Sequence, residues 1–165
     1  LGLVCEVEVG AAVAEVADCV DGMRDLGKAA GVPIVTATTQ DRFVAQTANW
    51  DAIGGLDFHK GCYPGQEIVA RTRYLGRVKR RMLRFSAPGK PPPPGSAVHG
   101  QRGSIGQVVS SAVAEAGSEI LAVVRLDDMT GPVFADIERA HPLTPLPLPY
   151  HVPEAGPNAA PAPGP

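Results

Sequence analysis

Apolar and polar positions alternate at the start of the chain: Leu3, Cys5, Val7 and Val9 share one face, Glu6 and Glu8 the other. Period two predicts a half-buried strand, ended by Gly10. The period then lengthens. Val13, Val16, Ala17, Val20 and Met23 recur every three or four residues with Glu15, Asp18, Asp21 and Arg24 between them. That pattern predicts an amphipathic helix, interrupted near Gly22. Cys19 lies beside its apolar face, where a thiol acts as core filler. Gly31-Val32-Pro33 closes the helical region, because Gly caps and Pro cannot continue it. Ile34 to Thr38 is β-branched and reads as extended, and Gly54-Gly55 marks a turn.

A helix is predicted from Gly65 through Ala70 to Arg73, with Pro64 suited to a first turn and Glu67 to the positive end of the helix dipole. Val78 to Phe85 reads as a strand carrying basic residues. Pro88 to Gly95, with Pro91 to Pro94 consecutive, is a stiff connector. Short strand-like runs follow at Ser96–His99, Ser104–Ser111, Glu119–Leu126 and Val133–Glu138, with Gly or Asp clusters between them. Ile120 to Val124 is continuously apolar, as in a strand buried on both sides. Strands at this spacing predict a small antiparallel barrel. From His141 onward nine of twenty-five residues are proline. This composition predicts a disordered tail.

Charge divides the chain in three. Residues 1–58 carry three Lys/Arg against nine Asp/Glu, a net of −6. Residues 59–102 carry ten against one, a net of +9, and residues 103–165 two against seven, a net of −5. A basic block between acidic flanks points either to an anionic partner or to segments that neutralise one another. Arg71, Arg73, Arg77, Lys79, Arg80, Arg81 and Arg84 could meet RNA phosphates. The three cysteines, Cys5, Cys19 and Cys62, form no CxxC pair, which fits a reducing cytoplasm. His59 and Cys62 alone make a weak metal pair, so no metal is expected. No apolar run approaches the roughly 20 residues of a membrane span. No signal segment opens the chain, and its start at Leu1 is expected of a piece of a longer protein.

Candidate chemistry concentrates at residues 60–71. Cys62 lies between Gly61 and Gly65, two residues after Lys60. Glycines permit a tight exposed loop and close ligand approach. A thiol beside cationic groups and a helix N-terminus is a reactive one. Gln66 and Glu67 offer an amide and a carboxylate at the same helix start, and Arg71 is one turn beyond Glu67. The alternative is a Cys62 buried as a small hydrophobe, with an ordinary surface pair between Glu67 and Arg71.

Lys60-Gly61-Cys62-Tyr63-Pro64-Gly65-Gln66-Glu67 resembles the Lys-Gly-Cys-Tyr-x-Gly-Gln-Glu signature of the YgfZ family of folate-binding proteins at every fixed position. Gly31-Val32-Pro33, Phe43, Gln46, Asn49, Gly54-Gly55 and Phe58 before it, and Val69-Ala70-Arg71 and Gly76 after it, follow the family's order. Gly103-Ser104-Ile105-Gly106 resembles its C-terminal barrel. The resemblance implies an α+β fold like that of the T-protein of the glycine cleavage system. Residues 1–77 would be the C-terminal portion of the folate-binding region, 78–140 a small antiparallel β-barrel, and 141–165 the tail. It implies a folate-dependent factor for assembly or repair of iron–sulfur client proteins, including tRNA-modifying enzymes. Two alternatives are a tetrahydrofolate-dependent aminomethyl or one-carbon transferase and an RNA-binding accessory protein. By resemblance Cys62 is the key functional group, with Lys60 beside it. Tyr63, Gly65, Gln66, Glu67 and Arg71 would line a tetrahydrofolate site, much of which would lie outside this chain.

Overall fold

A computed structural model describes residues 30–58, 61–63, 65–74 and 78–152. The strand expected at Leu1–Val9 and the helix expected at Val13–Met23 lie outside the described residues. The fold is α+β. Six strands, β1 (Arg80–Ala87), β2 (Ala97–Gly100), β3 (Gly103–Ala114), β4 (Gly117–Arg125), β5 (Val133–Phe134) and β6 (Pro142–Leu146), close into an antiparallel barrel. The order around it is β1-β4-β3-β2-β5-β6, and β6 returns to β1. A nine-residue helix, α1 (Gln66–Tyr74), and a single 3-10 turn (Ala45–Ala48) precede the barrel.

Strand periodicity explains which residues fill the interior. Phe85, Ala87, Val98, Ile105, Val108, Ile120, Ala122, Val124, Val133 and Leu143 form the inner core. Met82, Val109, Leu121 and Val123 form a second cluster, packed with Phe43 and Leu148. β4 contributes alternate residues to the two clusters, so Ile120 to Val124 is buried on both faces, as its continuous apolar run predicted. On β3 the neighbours Val108 and Val109 belong to different clusters. The pairing jumps from Val108↔Ala122 to Ser110↔Leu121, leaving Val109 as the extra residue of a β-bulge.

Gly106 marks a close approach between strands. A Cβ there would strike the Val123 carbonyl oxygen and approach Val124 Cγ1 to 2.7 Å. Both obstacles belong to β4, which is pinned by pairing on each side. Gly106→Ala is therefore expected to destabilise the fold by about 1–3 kcal/mol, the cost of overpacking a core. Urea denaturation checks this, and an unchanged midpoint would show that the strands can separate freely.

The tail expectation needs correction. Residues 141–152 are ordered into the fold, although composition predicted disorder from His141. Leu143 is buried in the barrel core, Arg84↔Leu146 and Phe85↔Pro145 pair β6 with β1, and Leu148 packs on the second cluster. Averaging over the proline-rich segment hid Leu143, Leu146, Leu148 and Tyr150. A strand can carry proline where ladder donors are dispensable. The turn into β6 is tied by Asp136, whose carboxylate accepts the Ala140 and His141 N–H groups at 2.9 and 2.8 Å and lies 2.8 Å from His141 Nδ1. The Ala140 bond chiefly, with the His141 contacts, holds the Asp136 carboxyl below its ordinary range.

The strand expected over Val133–Glu138 is only the two-residue β5. Ile34–Thr38 forms no strand; it leads into a turn in which the Thr36 N–H donates to Thr39 Oγ1 at 2.8 Å. Threonine hydroxyls compete here for backbone donors that a ladder would otherwise use.

Candidate functional site

The signature loop runs directly into α1. The Gln66 N–H donates to the Tyr63 carbonyl at 3.2 Å, and Ile68 and Val69 N–H donate to the Gly65 carbonyl. Gly65 has φ +84°, a left-handed conformation that disfavours any side chain. Among the described residues a Cβ on Gly61 or Gly65 would meet nothing within 4 Å, so the described structure leaves open space on both sides of Cys62. Cys62 is free and exposed. That rules out the buried-hydrophobe reading. Lys60 and Pro64 lie outside the described residues, so the structure gives no position for the ammonium expected beside the thiol.

The other predicted site residues sit around this helix start. Tyr63 and Gln66 are half-buried, while Glu67 and Arg71 are exposed. Glu67 Oε1 accepts from Arg71 Nη2 at 2.9 Å, with both side chains largely in solvent. Such a pair stabilises a helix by only about 0.3–0.5 kcal/mol and can open to a ligand at small cost. Glu67 in the first turn and Arg71 and Arg73 in the last also complement the helix dipole.

Burial of apolar area alone does not hold α1, because Val69 is the one buried residue among its described side chains. Polar anchors supply the rest. Gln46 Nε2 donates to the Val69 carbonyl at 2.6 Å in a buried contact. The carbonyl of Gln46 accepts from Arg81 Nη1 at 2.6 Å, and the same nitrogen lies 2.7 Å from Asp51 Oδ1. Arg81 is 3% exposed and Asp51 15%. The barrel thus grips the helix through Asp51, Arg81 and Gln46. On the outer side the Arg73 guanidinium stacks 3.8 Å from the Phe58 ring centroid, so residues flanking the loop meet across it.

Phe43, Gln46 and Asn49 bracket the 3-10 turn: Gln46 lies within it, Asn49 is its C-cap and Phe43 precedes its N-cap, Val44. Phe43 packs on the barrel, Gln46 holds α1, and Asn49 Nδ2 donates to the Met82 carbonyl at 2.7 Å. Asn49 also takes the left-handed C-cap position at φ +62°. Its Nδ2 is 3.3 Å from the Tyr150 hydroxyl, which in turn donates to the Gly31 carbonyl at 2.7 Å. Burial raises the Tyr150 phenol above its ordinary range. Gly31 has φ +67°, and a Cβ there would meet the Tyr150 ring.

The basic block separates into different duties. Arg81 pairs with Asp51 of the acidic first segment, and Arg84 Nη2 with Glu119 of the acidic last segment at 2.8 Å. At these two positions the segments neutralise one another. Lys79 and Arg80 are exposed, and Arg77 lies outside the described residues. Asp51 was not singled out from the sequence, since one aspartate after a Trp carries no distinguishing pattern. Among the described residues no cluster of three or more His, Cys, Asp or Glu could hold a metal ion, and no helix is long and apolar enough to cross a membrane.

Comparison with known proteins agrees with the signature. The chain is 37% identical over 134 residues to the tRNA-modifying protein YgfZ of Cronobacter sakazakii. It is 34% identical over 131 residues to proteins of the same name from Escherichia coli strains SMS-3-5 and O157:H7. Each match covers 76% of this chain. This chain is YgfZ-type. It corresponds to the C-terminal part of those relatives and spans about two fifths of their length, 41% and 40%. No family model matches it. The anchoring turn, the Cys62 loop and the barrel therefore belong to a YgfZ-type C-terminal part.

Proposed function

We propose that this chain forms part of a folate-dependent factor that supports assembly or repair of iron–sulfur proteins, tRNA-modifying enzymes among them. The observation that carries this reading is the Cys62 loop: a signature thiol, exposed between two open glycines, on a helix start that the barrel holds by buried hydrogen bonds. The relatives' shared name, tRNA-modifying protein, supports it. Cys62 is the functional group of that loop, with Lys60 beside it in sequence.

The residues present fit one rim of a tetrahydrofolate site. Open space beside Gly61 and Gly65 admits a flat ring. The Gln66 amide and Glu67 carboxylate offer an acceptor and donors for a pterin edge, Arg71 a cation for an anionic tail, and Tyr63 a half-buried ring. Tetrahydrofolate carries one-carbon units when bound. This chain's residues position the ring, and Gly65 keeps the backbone free of a side chain where the ring approaches.

Complementation tests the proposal. The intact protein, wild type and Cys62→Ala, is placed in a bacterium lacking its own YgfZ-type protein, and a cluster-dependent tRNA modification is assayed. Rescue by the wild type and at least tenfold less modification with the variant is the expected outcome. Equal rescue would reduce Cys62 to a structural residue. Failure of both proteins, each expressed and folded, would overturn the role itself.

A further inference from the structure

A groove of about 430 Å³ opens between the segment that carries the 3-10 turn and the barrel wall, lined by Arg42, Phe43, Thr47, Arg80, Ile105 and Gln107 among others. Its volume is within the range of small-ligand sites, roughly 300–1,000 Å³. None of its lining residues comes from the signature loop or α1, so it is distinct from the Cys62 site.

The lining divides by chemistry. Arg42 and Arg80 are both exposed, and no described residue forms an ion pair with either. Arg71, Arg81, Arg84 and Arg125 are engaged with carboxylates. Two uncommitted guanidiniums on one groove add their fields and present planar forks of donors suited to phosphate oxygens. Half-buried Phe43 and exposed Val44 supply an apolar surface beside them. The Phe43 ring is packed against the Met82–Val109–Leu121–Val123 cluster and is therefore a fixed platform. Gln107 Nε2 donates to the Gly95 carbonyl at 2.8 Å, which fixes the amide and leaves its carbonyl oxygen to accept from a ligand N–H.

We propose that this groove binds a nucleotide unit of a single-stranded nucleic acid, with the phosphate at Arg42 and Arg80 and the base against the Phe43–Val44 surface. An acidic peptide would use the arginines but leave the apolar platform and the fixed amide without a role. A nucleotide uses all three, since strand binding combines a basic groove with stacking surfaces. The site reassigns the cationic stripe of the sequence: Arg81 and Arg84 serve the fold, while Arg80 acts with Arg42, which lies outside the basic block.

Fluorescence anisotropy with labelled octauridylate, titrated with the full chain at about 50 mM salt and repeated at higher salt, tests the proposal. Arg42→Ala/Arg80→Ala is expected to weaken binding at least tenfold and to lower the slope of log K against log salt by about one to two. Arg42→Lys/Arg80→Lys should retain more affinity than the alanine pair, and Lys90→Ala, outside the groove, should bind like the parent. Both arginines are exposed, and coincident thermal melts will show that the variants fold. The proposal is overturned if the parent does not bind, or if the alanine pair binds as tightly as the parent. It is equally overturned if polyglutamate displaces the probe as well as unlabelled octauridylate does, since the groove would then read charge alone.

Discussion

Arg81→Met is expected to lower stability by about 3–5 kcal/mol, the cost of leaving one partner of a buried ion pair alone. The guanidinium is 3% exposed, and one nitrogen serves both the Asp51 carboxylate and the Gln46 carbonyl. Methionine fills much of the volume but donates nothing, so a largely buried carboxylate and a buried carbonyl both lose their donor. Folding domains are stable by only about 5–15 kcal/mol, so this is a large fraction of the whole. Urea denaturation should show a lower midpoint at unchanged slope. The damage should also reach the site. Gln46 holds the Val69 carbonyl, so amide exchange across Gln66–Tyr74 should accelerate more than in the distant hairpin of β3 and β4. A loss below about 1 kcal/mol would show that water replaces the guanidinium, and the proposed grip on α1 would fail with it.

Ending the chain after Ala140 is expected to abolish cooperative folding. This truncation deletes β6, which closes the barrel between β1 and β5. It removes Leu143 from the core, Leu148 from the second cluster, and the Tyr150 hydroxyl from Asn49 and Gly31. Losing a buried leucine side chain alone costs about 2–5 kcal/mol. Two sheet edges would open at the same time, and open edges recruit other chains. The expected product is aggregated, or soluble without a thermal transition. Leu143→Ala, with the strand retained, should still melt cooperatively at a lower temperature. A truncated chain melting within a few degrees of the parent would mean that β6 is an accessory strand and that closure contributes little.

The sequence by itself determined much of the barrel. Short strand-like runs punctuated by Gly, Pro or Asp located β1, β2, β3 and β4 to within a few residues, because turn residues mark where each strand must end. The unbroken apolar run Ile120–Val124 announced a strand with both faces covered, and the start of α1 was legible from Gly65 and Glu67. The signature around Cys62 was likewise visible as residues in order, and the match to YgfZ proteins rests on the same kind of information.

Tertiary structure decided the rest. Whether Cys62 was buried or exposed could not be read from a lone thiol, whose neighbours in space are not its neighbours in the chain. The basic residues looked alike in sequence, yet Arg81 is sealed against Asp51, Arg84 meets Glu119 across a strand pair, and Arg80 faces a groove. Phe43, Gln46 and Asn49 were legible as a spacing, but their partners at Met82, Val69 and Tyr150 were not. β6 was hidden for the same reason. Its prolines argue locally against order, and only the edges of β1 and β5 make an ordered strand there favourable. Local patterns record how each residue meets one face of its own element. Closure of the barrel and the anchoring of the segment before it depend on pairs up to 119 residues apart, such as Gly31 and Tyr150, and those pairs exist only once the chain has folded.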